Sequence, residues 1–169
     1  FNNKKTSFNV FEINKPKFFM TVNPAAQVKY GFETDNNEGN YLMSAGLEAK
    51  GLIAKKIAFN VFATGNQERA PSYVNAFTAK FHAIPGFSNF KNIDNNAVQY
   101  FDVRASASWT LAKFMDMQVG YDRNFIGNGM RSLFLSDFSG NSLFFKSNIR
   151  LWKLNFESLY MQLTPQFGI

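Results

Sequence analysis

The sequence predicts an all-β fold, an antiparallel transmembrane β-barrel to which this chain contributes about seven strands. Three observations predict it. Apolar and polar residues alternate with a period of two in one segment after another, and the connections between those segments alternate between short and long. The third is composition: 21 Phe, 6 Tyr and 2 Trp raise aromatic residues to 17%, yet mean hydropathy is only -0.22. Aromatic excess at modest hydropathy favours strands over helices. No stretch approaches the about 18 consecutive apolar residues that a membrane-crossing helix requires, so any crossing is made by strands.

Strands are expected near 25–33, 41–51, 56–64, 97–111, 115–123, 142–151 and 154–164. The first sets Val28, Tyr30 and Phe32 against Gln27, Lys29, Gly31 and Glu33. In the second, Tyr41, Met43, Ala45, Leu47 and Ala49 oppose Leu42, Ser44, Gly46, Glu48 and Lys50. After a short turn around Leu52 to Lys55, Ile57, Phe59, Val61 and Ala63 alternate with Ala58, Asn60, Phe62 and Thr64, which makes a hairpin by pattern. The fourth is the clearest: Phe101, Val103, Ala105, Ala107, Trp109 and Leu111 interleave with Asp102, Arg104, Ser106, Ser108 and Thr110 without a break. Met115, Met117, Val119 and Tyr121 then alternate with Asp116, Gln118, Gly120 and Asp122. Phe145, Ser147, Ile149 and Leu151 oppose Lys146, Asn148 and Arg150, and a tight turn near Trp152 and Lys153 leads into a last strand of mixed parity.

Short turns near Leu52, Lys113 and Trp152 alternate with longer links from Thr34 to Asn40, from Gly65 to Asn96 and from Asn124 to Asn141. Outer-membrane barrels have this plan, with tight periplasmic turns on one rim and long extracellular loops on the other. Within the Gly65–Asn96 link, Tyr73, Phe77, Phe81 and Ile84 fall at helical spacing after Pro71 and Ser72, and Pro85-Gly86 stops a short loop helix.

A soluble sandwich also alternates along its strands. Its interior would have to be the apolar parity, where small residues such as Ala45, Ala49, Ala105 and Ala107 fill space poorly, whereas hydrocarbon accepts any apolar profile. On this reading Tyr41, Leu47, Phe59, Val103, Trp109, Val119 and Ile149 face lipid, and the charges Asp102, Arg104, Asp122 and Arg150 face an enclosed lumen. A sheet of about seven strands leaves unpaired edges that lipid does not tolerate. Residues 1–169 are therefore expected to be a single partial barrel domain, the amino-terminal part of a parent with at least twice as many strands.

From Tyr100 onward the run YFDVRASASWTLAKFMDMQVGYDRNFIGNGMRSLFLSDFSGNSLFFKSNIRLWKLNFESLYMQLT resembles the outer-membrane barrels of Bacteroidota related to the capsule-assembly protein Wzi and the gliding-motility protein RemB. The block from Gly120 to Ser139 is its most specific part, and NAFTAKFHAIPGF, Asn75 to Phe87, resembles a long loop of the same proteins. The resemblance covers about a third of the chain and carries no carbohydrate-contact motif onto it. It implies a non-enzymatic outer-membrane barrel in gliding motility, capsule or polysaccharide handling, or association with the type 9 protein-secretion machinery. Implied partners are outer-membrane lipid and lipopolysaccharide, surface polysaccharide, and other envelope or secretion-complex proteins.

Other chemistry is weakly signalled. Gly127-Asn128-Gly129 lacks the third glycine and the Lys-Ser of a phosphate loop and reads as turn geometry. Asp122, Arg123 and Arg131 are placed to bridge the base of that loop as ion pairs. His82, the one histidine, sits in the long link, and a hydrolase alternative would pair it with a serine. A passive diffusion channel is a further alternative. Asp35 and Glu38 read as a hydrated loop rather than a calcium site, and Asp116 and Asp122 are too far apart along one strand to act together. No cofactor and no metal are expected. The formal charge of +6 comes from basic residues scattered along the sequence, and the aromatics alternate with small apolar residues instead of Lys and Arg, which argues against nucleic acid.

Overall fold

A computed structural model describes residues 9–34, 36–82, 84, 86–87, 90–93, 96–124 and 140–163. They form one antiparallel sheet and one helix. The strands are β1 (Phe11–Lys15), β2 (Phe18–Glu33), β3 (Asn36–Ile53), β4 (Ile57–Arg69), β5 (Phe90–Ile93), β6 (Ala97–Ala112), β7 (Met115–Asp122), β8 (Ser142–Leu151) and β9 (Leu154–Met161), and helix α1 (Ser72–Phe81) lies between β4 and β5. Sheet order follows the sequence from β1 to β9, with β5 beside β6 off the main path. β5 pairs with Ala97–Tyr100 and β7 pairs from Ala105 downward, so both lie along one edge of β6 with a break between them. β1 and β9 are the sheet's two edges.

The expected strands near 97–111, 115–123, 142–151 and 154–164 correspond closely to β6 through β9. The remainder needs correction. β1 and β5 were not expected, and β2 begins at Phe18 rather than near 25, because the run Phe18-Phe19-Met20 interrupts the alternation. Pro24, normally a strand breaker, sits beyond Val22, where the β1 ladder stops and β2 becomes an edge. The long link expected from Thr34 to Asn40 is instead a tight hairpin closed by Glu33 opposite Asn36. β4 continues to Arg69, so the expected link from Gly65 begins five residues late, and α1 ends at Phe81, leaving Ile84 outside it in a bridge with Phe87. The β3–β4 turn places Ala54 (φ 51°) and Lys55 (φ 58°) in left-handed conformations, and the Lys56 N–H donates to the Ile53 carbonyl at 3.0 Å. That is type I′ geometry without the usual Asn-Gly, held by the strands it joins.

Register assigns every strand residue to a face. One row of partners runs Lys15, Phe18, Ile53, Ile57, Trp109, Met117, Ser147 and Ser158. All seven residues expected to face lipid share the face of this row: Tyr41, Leu47, Phe59, Val103, Trp109, Val119 and Ile149. Burial is inverted relative to a water-soluble sheet. On the apolar face Phe101 is 71% and Leu47 57% exposed, whereas on the opposite face Asp102 is 8% and Asn66 7% exposed. The chain between α1 and β6 covers part of the polar face, its Phe87 ring stacked on Tyr100 beside Asn66 and Asp102. At Gly46 and Gly120 on the polar face neighbouring strands come close, because a Cβ at either would strike the backbone of the adjacent strand.

The hairpin turns are staggered against the row. Pro16 is one residue beyond Lys15, Ala54 one beyond Ile53, Lys113 four beyond Trp109 and Trp152 five beyond Ser147. The strands thus shift in one direction across the sheet. Among the described residues the buried apolar cluster is small, Ile84, Val98 and Tyr100 with Phe87 and Phe90 against it, and lies where the chain between α1 and β6 folds onto the polar face.

Candidate functional site: a charged cleft on the polar face

Cross-strand pairing places Asn66 opposite Tyr100, Thr64 opposite Asp102 and Phe62 opposite Arg104, all on the polar face of β4 and β6. The Arg104 guanidinium lies over the Phe62 ring, 4.3 Å from its centroid, and Nε is 3.3 Å from Asp102 Oδ1. That contact is an ion pair without hydrogen-bond geometry, since Nε has no hydrogen-bond partner among the described residues. Asn66 is held by donating Nδ2 to the Thr64 carbonyl at 3.4 Å and to the Tyr100 carbonyl at 3.5 Å.

Arg123 enters from the end of β7. Its N–H donates to Asp122 Oδ1 at 2.7 Å, its guanidinium comes within 3.8 Å of Asp102 Oδ2, and it lies 4.5 Å above the Phe87 ring. Asn141, at the start of β8, accepts from Arg123 Nε at 3.3 Å and donates Nδ2 to Asp102 Oδ1 at 3.3 Å and to the Val103 carbonyl at 3.0 Å. Val103 falls in the break between β5 and β7, so the Asn141 amide supplies a partner that no strand there provides. Tyr100 stacks against Phe87 at 4.2 Å and donates its hydroxyl to Glu68 at 2.8 Å.

Phe62, Thr64, Asn66, Phe87, Tyr100, Asp102, Arg104 and Arg123, with Gln27, Ser44 and Glu48, border a cavity of about 630 Å³. Its charged lining is balanced, Glu48 and Asp102 against Arg104 and Arg123. Flat aromatic and guanidinium surfaces beside amides and carboxylates suit a polyhydroxylated ligand, which stacks through its C–H faces and hydrogen-bonds at its edges.

The structure brings together the expected Asp102, Arg104 and Arg123. Among the described residues Asp122 holds only the Arg123 N–H. Arg150 stands elsewhere, 3.9 Å from Asp116 near the short-turn end, with both side chains largely exposed. Arg131, Asp35 and Gly127 to Gly129 lie outside the described residues, as does the Glu38 side chain. His82 ends α1 with φ 51°, donates its N–H to the Thr78 carbonyl at 2.8 Å, and borders a separate cavity with Asn75, Asn92 and Asn96. Among the described residues no serine or carboxylate lines that cavity. Sequence reasoning missed Phe62, Phe87, Tyr100 and Asn141. Tyr100 shares the parity of Asp102 and was within reach of the pattern, but nothing local marks Asn141.

Compared with family models, curated proteins and solved structures, the chain matches none.

Proposed function

We propose that this sheet is part of the wall of a bacterial outer-membrane β-barrel, its apolar face on lipid and its polar face on the lumen. The observation that carries the reading is the inverted burial: Phe101, Val103 and Leu47 are exposed while Asp102, Thr64 and Asn66 are buried. Two features support it. The one-directional stagger is of the kind that strand tilt in a closed barrel produces. Tyr41 to Ile53 on β3 spans roughly 40 Å along the strand, which at a tilt near 45° gives a band about 28 Å tall, the thickness of the hydrocarbon layer.

Within this reading the protein is a non-enzymatic surface barrel, and its cleft handles a surface polysaccharide in the manner of the capsule-assembly and gliding barrels that the sequence resembles. Asp102, Arg104, Arg123 and the three aromatic rings are the contact residues. The membrane reading is tested with the native protein in phosphatidylcholine vesicles: the Trp109 fluorescence, isolated as the difference from Trp109→Phe, is quenched by brominated acyl chains. An unquenched Trp109 overturns it. The glycan reading is tested by retention on immobilised surface polysaccharide, which Phe62→Ala with Arg104→Gln abolishes; equal retention by the variant removes the cleft from that role.

A further inference from the structure

The basic residues that look scattered in sequence are gathered by the topology. The four hairpin turns that join β1 to β2, β3 to β4, β6 to β7 and β8 to β9 all fall at one end of the sheet. With Lys15 at the end of β1 they carry Lys17, Lys55, Lys56, Lys113 and Lys153 and no carboxylate. All six lysines are exposed, and none pairs with a described carboxylate. Two of the turns are tied together, the Ala54 N–H donating to the Lys17 carbonyl at 2.7 Å. The tie brings Lys15, Lys17 and Lys55 together at the strand ends, beside Phe18 on the apolar face and Phe19 and Leu52 on the polar face.

We infer that Lys15, Lys17 and Lys55 on these two tied turns bind the phosphate of an anionic phospholipid headgroup, with the other turn lysines holding a ring of such lipids; the inference rests on the membrane reading above. Each turn is two or three residues long, so its ammonium groups cannot project past the headgroup layer that borders the apolar face. Uncompensated charge on that level attracts anionic lipid, and Phe18, Ile53 and Ile57, which end the apolar face beside these turns, accept the start of the acyl chains. Trp152, 92% exposed with the Lys153 Nζ 4.9 Å from its ring, is the aromatic anchor expected at the same boundary.

The test uses the native protein reconstituted in an equal mixture of phosphatidylglycerol and phosphatidylcholine, re-extracted in mild detergent, with retained lipid counted by mass spectrometry. Phosphatidylglycerol is retained over phosphatidylcholine on the order of ten-fold. The triple variant Lys15→Gln, Lys17→Gln, Lys55→Gln loses that preference, while Lys80→Gln with Lys91→Gln, at the opposite end, keeps it. Far-UV circular dichroism confirms that the variants are folded. No preference in the native protein, or equal preference in the triple variant, overturns the inference, as does loss by the triple variant of binding to purified peptidoglycan with lipid retention unchanged. Quenching of Trp109 in the same samples separates the two readings: quenched Trp109 without lipid preference sinks this inference alone, and unquenched Trp109 sinks the membrane reading with it.

Discussion

Asp102 and Arg123 face each other at 3.8 Å across the break in the β6 edge, where β5 has ended and β7 has not begun. Asp102 is the common partner of Arg104, Arg123 and Asn141, so one carboxylate ties together β6, the end of β7 and the start of β8.

Asp102→Asn keeps the size of the side chain and removes its charge, leaving Arg104 and Arg123 without their counter-ion. Hydrogen bonds to charged groups of this kind contribute about 2 kcal/mol. The expected outcome is destabilisation of that order in urea unfolding, with faster hydrogen exchange at the Arg123 and Asn141 amides. A double-mutant cycle with Arg123→Gln should show strong coupling. Additive losses would mean that the two residues act separately.

Glycine positions on the polar face give a second test. A Cβ at Gly46 would meet the Ala63 carbonyl and Thr64 Cα, and one at Gly120 would meet the Ala105 carbonyl, whereas Gly31 has open space. Overpacking against backbone costs about 1–3 kcal/mol, while replacing a strand glycine that has room gains up to about 1 kcal/mol. Gly46→Ala and Gly120→Ala should each lower stability by that larger amount in thermal unfolding, and Gly31→Ala should leave it unchanged or raised. Equal effects at all three positions would remove the close approach of strands inferred at Gly46 and Gly120.

The strands that sequence pattern locates well are those whose two faces meet different surroundings throughout. β6 alternates without a break because every residue from Phe101 to Leu111 has an apolar or a polar side to serve. Pattern fails where that contrast ends: Gln67, Arg69 and Gln99 put polar groups on the otherwise apolar face at the long-loop end, so β4 read as a loop beyond Thr64. There Arg69 lies over Tyr41 at 5.5 Å and Gln67 donates to the Tyr41 hydroxyl at 3.2 Å, contacts set by register and invisible to periodicity. The cleft was half legible for the same reason. Asp102 and Arg104 stand out as charges within a strand, but Phe87 and Asn141 reach them from connections whose path no local rule fixes. The lysine rim was missed because six positions spread from 15 to 153 become neighbours only once strand order is known.

Helix α1 is held by a carboxylate from outside it. Pro71 at the N-cap provides no side-chain cap, and Glu33 at the end of β2 instead accepts from the Ser72 N–H at 3.1 Å and the Ser72 hydroxyl at 2.8 Å. A carboxylate at this end also meets the positive pole of the helix. Glu33→Gln keeps an acceptor and loses the charge, and Glu33→Ala loses both, so protection of the first-turn amides, Ser72 to Asn75, should fall in that order by about 1 kcal/mol in total. Global unfolding should move little, because no residue of α1 is buried. A helix equally protected in both variants would show that Glu33 is a bystander.

Leu47 separates the membrane reading from a water-soluble one most directly. It lies midway along the apolar face of β3, 57% exposed, between Pro24 on β2 and Ala63 on β4. Surface substitutions in water seldom change stability by more than about 0.5 kcal/mol, so Leu47→Arg is nearly silent if this face is hydrated. In a bilayer an arginine near the midplane of a barrel wall costs about 2–4 kcal/mol. The polar-face control is Ser106→Arg, a neighbour in the same sheet whose side chain faces away from the apolar surface. Folding into vesicles, followed by urea titration, should show Leu47→Arg destabilised by the larger amount and Ser106→Arg affected less. Equal, small effects at both positions would place water on both sides of the sheet, and the assignment of the apolar face to lipid would have to be abandoned.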